Sequence, residues 1–207
     1  CVGVNSRPHV EEMGREIPDH PVVFVRYPDS LVGHAEAILR PRISDQYDYE
    51  GELAIVIGRD ARYVSAEDAL DYVAGYTPFL DGSVRDWQRH TMQFTPGKNF
   101  PASGAAGPAL VSRDEAGKPE SIEVVTRVSG EVMQEGRVAD LIFDVPALVA
   151  YCSAFTRLLP GDVIATGTPG GVGAARRPPR WLVPGDVVEV DLGPLGCLRN
   201  TVIAEAD

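Results

Sequence analysis

Basic residues are few in this chain: 19 Lys and Arg stand against 30 Asp and Glu, giving a formal net charge of −11. Nucleic acids and anionic membranes both require a basic face, so neither is expected as a partner. Cysteine is scarce as well. Cys1, Cys152 and Cys197 are widely separated and odd in number, which leaves no CxxC pair and points to a reduced, cytoplasmic setting. No apolar run approaches the roughly 18 residues that cross a bilayer. The opening Cys1-Val2-Gly3-Val4-Asn5 has neither the basic nor the apolar part of a signal peptide, and no Met precedes it. A leading segment is therefore expected to be missing from this chain. No Gly-Lys-Ser/Thr closes a phosphate loop, and no Gly-x-Ser-x-Gly elbow supports a serine hydrolase.

What is present suits one folded domain over residues 1–207, with 44% hydrophobic and 24% charged residues. The texture is mainly β with few helices, broken by 17 Pro and 21 Gly. Residues 21–26 and 52–58 read as buried strands. Ser65-Ala66-Glu67-Asp68 resembles a capping box, which predicts a helix through about Ala74 that Gly75 stops. Asp144 caps a second expected helix over residues 145–156, closed by Leu159-Pro160-Gly161-Asp162. A short helical turn after Asn5 or Ser6 carries His9 to Gly14. The last third reads as strand and turn, with residues 174–180 as an exposed loop. Pro-Gly-Asp-Val occurs at 160–163 and again at 184–187, which turn chemistry by itself accounts for.

Chemistry concentrates at Asp48-Tyr49-Glu50-Gly51-Glu52, which runs straight into an apolar strand. On an extended chain residues i and i+2 share a face, so Glu50 and Glu52 project side by side. Two carboxylates held that close call for a cation or a shared proton, unless the strand end is simply solvated. Asp81 ends a second apolar stretch, residues 75–80, and supplies a third carboxylate. An all-oxygen set selects Mg²⁺, Mn²⁺ or Ca²⁺ over Zn²⁺, and three protein ligands leave positions open for substrate. His9 and Glu12, three apart, share a helix face. They form either a general base with its orienting carboxylate or a surface ion pair. Lys98, in the loop Gly97-Lys98-Asn99-Phe100-Pro101, can meet a developing oxyanion, or can be a plain surface lysine. The Gly-rich loop at residues 166–173 offers backbone N–H groups to an anion.

Taken in order, these segments resemble the fumarylacetoacetate hydrolase superfamily, also called fumarylacetoacetase-like. The resemblance runs from Gly3-Val4-Asn5-Ser6-Arg7-Pro8-His9 and Tyr49-Glu50-Gly51-Glu52 through Asp81-Gly82-Ser83-Val84-Arg85-Asp86 and Gly97-Lys98-Asn99-Phe100. It ends with Ala165-Thr166-Gly167-Thr168-Pro169 and Gly196-Cys197-Leu198-Arg199-Asn200-Thr201, and so covers nearly the whole chain. It implies a mixed β-roll, usually a homodimer, with Glu50, Glu52 and Asp81 as ligands of Mg²⁺ (Mn²⁺ or Ca²⁺ as alternatives). It further implies His9 and Glu12 on a mobile lid and Lys98 in the active site. Thr168, Gly167, Gln88 and Arg85 become substrate contacts. Implied activities on small 2-oxo acids are C–C hydrolysis of acylpyruvates, which we place first, and decarboxylation or tautomerisation of oxaloacetate-like acids. Isomerisation of products of aromatic ring cleavage belongs to the same set. A non-catalytic metal- or acid-binding relative is the reading from another class. Ser6, Leu80 and Pro101 depart from the common family pattern, which puts the substrate in more doubt than the metal site.

Overall fold

The computed structural model describes residues 1–14 and 16–206, and two sheets carry most of its strands. The first orders Val163–Ala165, Gly51–Ile57, Val73–Leu80, Gly104–Ala106 and Leu31–Val32, with Val111–Ser112 added to the side of Val73–Leu80. The second orders Glu131–Arg137, Glu123–Val128, Val187–Asp191, Cys197–Ala204 and Ala37–Arg40. Pairing is mostly antiparallel. Cys197–Ala204 beside Ala37–Arg40, and Leu31–Val32 beside Gly104–Ala106, are parallel, so both sheets are mixed, as the β-roll expectation requires. No helix among the described residues is long and apolar enough to cross a membrane.

Alternation along Gly51–Ile57 decides what faces the core. Leu53, Ile55 and Ile57 turn to one side and are buried with Val124, Val188, Val190 and Leu198 of the second sheet. Each side chain of this kind stabilises the fold by about 1.5–3 kcal/mol when fully buried. Gly51 belongs to the same face. A Cβ there would stand 2.0 Å from Thr126 Oγ1 of the second sheet, so only hydrogen fits between the two glutamates. The opposite face of the strand end is left to Glu50 and Glu52.

The helix at Val145–Phe155 forms as expected: Asp144 accepts from Ala147 N–H at 2.9 Å, and Val145, Leu148, Val149 and Cys152 make the buried stripe. The turn of helix at Arg7–Glu12 also forms, with Pro8 in its first turn. Other expectations fail. Residues 65–74 hold only a 3-10 turn, Ala69–Tyr72, and Gly75 lies inside the strand Val73–Leu80. Ser65 and Asp68 do exchange hydrogen bonds, but as a local turn, and β-pairing with Gly51–Ile57 claims the rest. In residues 21–26 only Val22–Val23 pairs, with Val2–Gly3, and both valines are exposed, because a two-stranded ribbon has no second layer over it. Lys98 ends one helical turn, Thr95–Lys98, rather than sitting in a loop. The two Pro-Gly-Asp-Val phrases enter different sheets. At both, the Asp carboxylate accepts from the N–H three residues back, which turn chemistry explains. Of the expected loop at 174–180, residues 177–179 are exposed, while Arg176 and Arg180 are tied to Met133 O and Asp186.

Candidate active site

Antiparallel register assembles the acidic cluster. Gly51 pairs with Leu80, so Asp81 comes opposite Glu50, and its N–H donates to Glu50 O at 2.8 Å. Residues directly opposite share a face, which puts Glu50, Glu52 and Asp81 together. One carboxylate oxygen from each lies within 4.8 Å of the others, and all three residues are buried. A solvated strand end is ruled out by that burial.

Three cations surround the acids. Lys98 Nζ donates to Glu50 Oε2 at 2.5 Å and Asp81 Oδ2 at 2.6 Å. Arg85 Nη1 reaches Glu50 Oε1 at 2.7 Å, and Arg26 Nη1 reaches Asp81 Oδ1 at 2.6 Å. Burial alone would raise the Glu50 carboxyl, but Arg85 and then Lys98 outweigh it and hold it well below the carboxylate range. Among the described residues Glu52 has no such partner. Burial first, then the charges of Asp81 and Glu50, push its carboxyl well above the ordinary value, although Gly167 N–H donates to it at 2.7 Å. The cluster therefore retains an acid that lacks a cation of its own.

His9 Nδ1 lies 3.1 Å from Glu12 Oε2, and Glu12 Oε1 accepts from Gly171 N–H at 2.8 Å. With Nδ1 directed at Glu12, Nε2 is the free ring nitrogen. His9 shares a cavity of about 400 Å³ with Glu50, Glu52 and Lys98.

The family model described as Fumarylacetoacetate (FAA) hydrolase C-terminal matches residues 1–203. The chain belongs to the fumarylacetoacetate hydrolase family. Oxaloacetate tautomerase YisK of Bacillus subtilis (strain 168) is 42% identical over 98% of this chain and 68% of its own length. The chain spans about two thirds of the length of its curated relatives. Among solved structures, 5-carboxymethyl-2-hydroxymuconate delta-isomerase from Mycobacterium smegmatis superposes with a TM-score of 0.88 at 38% identity, over 100% of this chain and 78% of that one. Fumarylpyruvate hydrolase from Pseudomonas aeruginosa, solved with Mn²⁺ and pyruvate, gives 0.89 at 31% identity, over 99% and 88%.

The family's divalent cation fits these residues: three buried hard-oxygen donors converge, one is short of positive charge, and an ammonium already bridges the other two. The four expected substrate contacts are placed unequally. Arg85, Gln88 and Thr168 line the same cavity, and Arg85 Nη2 has no hydrogen-bond partner. Thr168 Oγ1 donates to Gly51 O at 2.9 Å and accepts from Gln134 Nε2 at 2.8 Å. The Gly167 N–H is spent on Glu52.

Two residues of this family site carried no expectation. Asp48 is fully buried and accepts from Arg85 Nε and from the N–H groups of Gly173 and Ala174, which fixes Arg85 against the Gly-rich loop. Its signal was the period of two that continues from Glu50 and Glu52. Arg26, buried behind Asp81, was the single charge in the apolar run 21–26.

Proposed function

We propose that this chain is a divalent-metal-dependent enzyme that moves a proton next to the carbonyl of a 2-oxo dicarboxylic acid, by keto–enol tautomerisation or double-bond isomerisation. The carrying observation is that Glu50 and Glu52 of the buried carboxylate triad line one cavity with His9, whose ring is held by Glu12. Similarity to an oxaloacetate tautomerase and to a ring-cleavage isomerase favours this over the acylpyruvate hydrolysis placed first from sequence.

A divalent cation held by Glu50, Glu52 and Asp81, with Mg²⁺ the first expectation, would supply electron withdrawal from the 2-oxo group and so acidify the neighbouring carbon. His9 Nε2 takes the proton from that carbon and delivers it to the former 2-oxo oxygen in tautomerisation, or to the far carbon of the shifted double bond in isomerisation. Glu12 holds the Nδ1 tautomer and supports the charged ring. Arg85 Nη2 pairs with a substrate carboxylate, and Thr168 borders it. Lys98 Nζ supplies positive charge beside the enol oxygen. Water exclusion separates this reaction from hydrolysis, because the acyl C–C bond of an acylpyruvate is cleaved only when water attacks the distal carbonyl. The likeness to fumarylpyruvate hydrolase supports hydrolysis as the second reading.

The test is decay of the ultraviolet enol band of oxaloacetate and of longer 2-hydroxydienoates, with and without Mg²⁺, and with products identified. Metal-dependent loss of the band with the carbon skeleton intact supports the proposal. Cleavage with addition of water points to the hydrolase, loss of CO2 points to a decarboxylase, and no turnover of any 2-oxo acid overturns all of these readings. We also place the enzyme in the cytoplasm, and we take it to be a homodimer because Val23, Val25, Phe155 and Val163 line one apolar exposed hollow. Sedimentation at the 22.3 kDa of a single chain would refute the dimer.

A further inference from the structure

We propose that Arg26 is the positioning residue of the metal centre: it fixes the Asp81 carboxylate so that Oδ2 alone is offered to the cation. This rests on the metal reading above, and it assigns a role to a residue outside the triad and outside the cavity wall.

The Arg26 side chain is 2% exposed. A guanidinium carries five N–H donors in one plane, and here every one has an acceptor. Nε donates to Ser30 Oγ at 3.2 Å. Nη1 donates to Asp81 Oδ1 at 2.6 Å and Gly82 O at 2.9 Å. Nη2 donates to Ser30 O at 3.1 Å and Ser103 Oγ at 2.8 Å. The plane cannot turn without breaking several buried bonds together, each costly to leave unmade. The fold also makes room for it. A Cβ on Gly104 would stand 2.6 Å from Nη2 and 2.8 Å from Cζ, so any side chain there would displace the guanidinium.

The two oxygens of Asp81 are thus held differently. Oδ1 is capped by a rigid fork locked on all sides. Among the described residues Oδ2 meets only the Lys98 ammonium, a point charge on a flexible stem that also lies 5.0 Å from the Phe24 ring centroid. A divalent cation can displace the second far more easily than the first. Two-oxygen coordination by Asp81 would require Oδ1 to leave Arg26, so Asp81 stays a one-oxygen ligand. Positions on the cation are left for a chelating 2-oxo acid. Arg26 holds Oδ1 while Lys98 holds Oδ2, so the guanidinium does not occupy the cation's place. A merely structural Arg26 would tie the strand end to Ser30 and Ser103 and have no effect on the metal.

The test is Mn²⁺ titration of the full chain at one pH, followed by the paramagnetic resonance of free and bound Mn²⁺, with melting temperatures alongside. Variants are Arg26→Lys, Arg26→Met, Ser103→Ala and, as control, Asp81→Asn. Arg26→Met should raise the Mn²⁺ Kd about 10–100-fold, as loss of a ligand-orienting partner does, and should broaden the bound spectrum. Arg26→Lys should recover part of the affinity, since it restores charge but not the fork. Ser103→Ala, which loses one guanidinium bond, should weaken binding less, in the same direction. A folded Arg26→Met whose Kd stays within about twofold of the parent overturns the inference. If Arg26→Met does not fold, unchanged affinity in Ser103→Ala does so. A parent that binds no Mn²⁺, or an Asp81→Asn control that binds it normally, overturns the metal reading itself and this inference with it.

Discussion

Lys98 Nζ bridges Glu50 and Asp81 at 2.5 and 2.6 Å, so an ammonium fills the gap between two of the three converging carboxylates. A divalent cation and this ammonium compete for the same oxygens. Lys98→Met should therefore bind Mn²⁺ more tightly than the parent while losing about 10²–10⁴-fold in turnover, for want of charge at the enol oxygen. Titration beside steady-state kinetics checks both halves, and weaker Mn²⁺ binding in the variant would show that Lys98 supports the cation instead of opposing it.

Asp81→Ala and Asp81→Asn should part company in stability. From sequence, Asp81 stands at a strand end, where truncation would spare the fold. In the structure it is fully buried between Arg26 and Lys98. Truncation leaves the buried Arg26 guanidinium without a carboxylate and takes one of two from Lys98, at a cost of about 3–5 kcal/mol, whereas Asn keeps the shape and an acceptor. Both variants should lose metal-dependent turnover, and thermal melting should place Ala well below Asn. Equal melting temperatures would mean the ion network contributes little.

His9→Ala should reduce kcat by about 10²–10⁴-fold, as loss of a general base does, with metal affinity nearly unchanged. His9 lines the cavity with Glu50 and Glu52, but its hydrogen bond is to Glu12. Parallel loss of Mn²⁺ binding and turnover would make it a ligand instead.

Glu12 should make the helical turn Arg7–Glu12 sensitive to acid. Burial raises its carboxyl, but the His9 hydrogen bond and the Gly171 N–H outweigh this and hold it below the ordinary 4.5. A carboxyl lowered by folding contributes stability that is present above 4.5 and lost as pH falls through the lowered value. Hydrogen exchange at Gly171, corrected for the intrinsic rate, should accelerate below that point in the parent. Glu12→Gln should exchange faster at neutral pH and lose the dependence, together with part of kcat. An exchange rate at Gly171 that ignores both pH and the substitution would separate Glu12 from the docking of this helix.

Much of the site was legible because it depends on local periodicity. Glu50 and Glu52 share a face in any extended strand, and His9 and Glu12 share one in any helical turn, whatever the rest of the chain does. The cap at Asp144 was readable for the same reason, since its partner Ala147 lies three residues on. The failures came where local signals competed with distant pairing. Ser65 and Asp68 make their hydrogen bonds, yet Val73 and Gly75 belong to a strand because Ile57 and Val56 lie beside them. Arg26 gave only an unexplained charge in an apolar run, because its acceptors Asp81 and Ser103 lie 55 and 77 residues away. Sequence by itself determined which groups share a face: Glu50 with Glu52 along a strand, and His9 with Glu12 along a helical turn. Tertiary structure alone decided the charge balance, by burying Asp48, Arg26 and Lys98 among those acids. Spacing is a property of the local backbone, whereas the energy of a buried charge depends on every neighbour that folding brings to it.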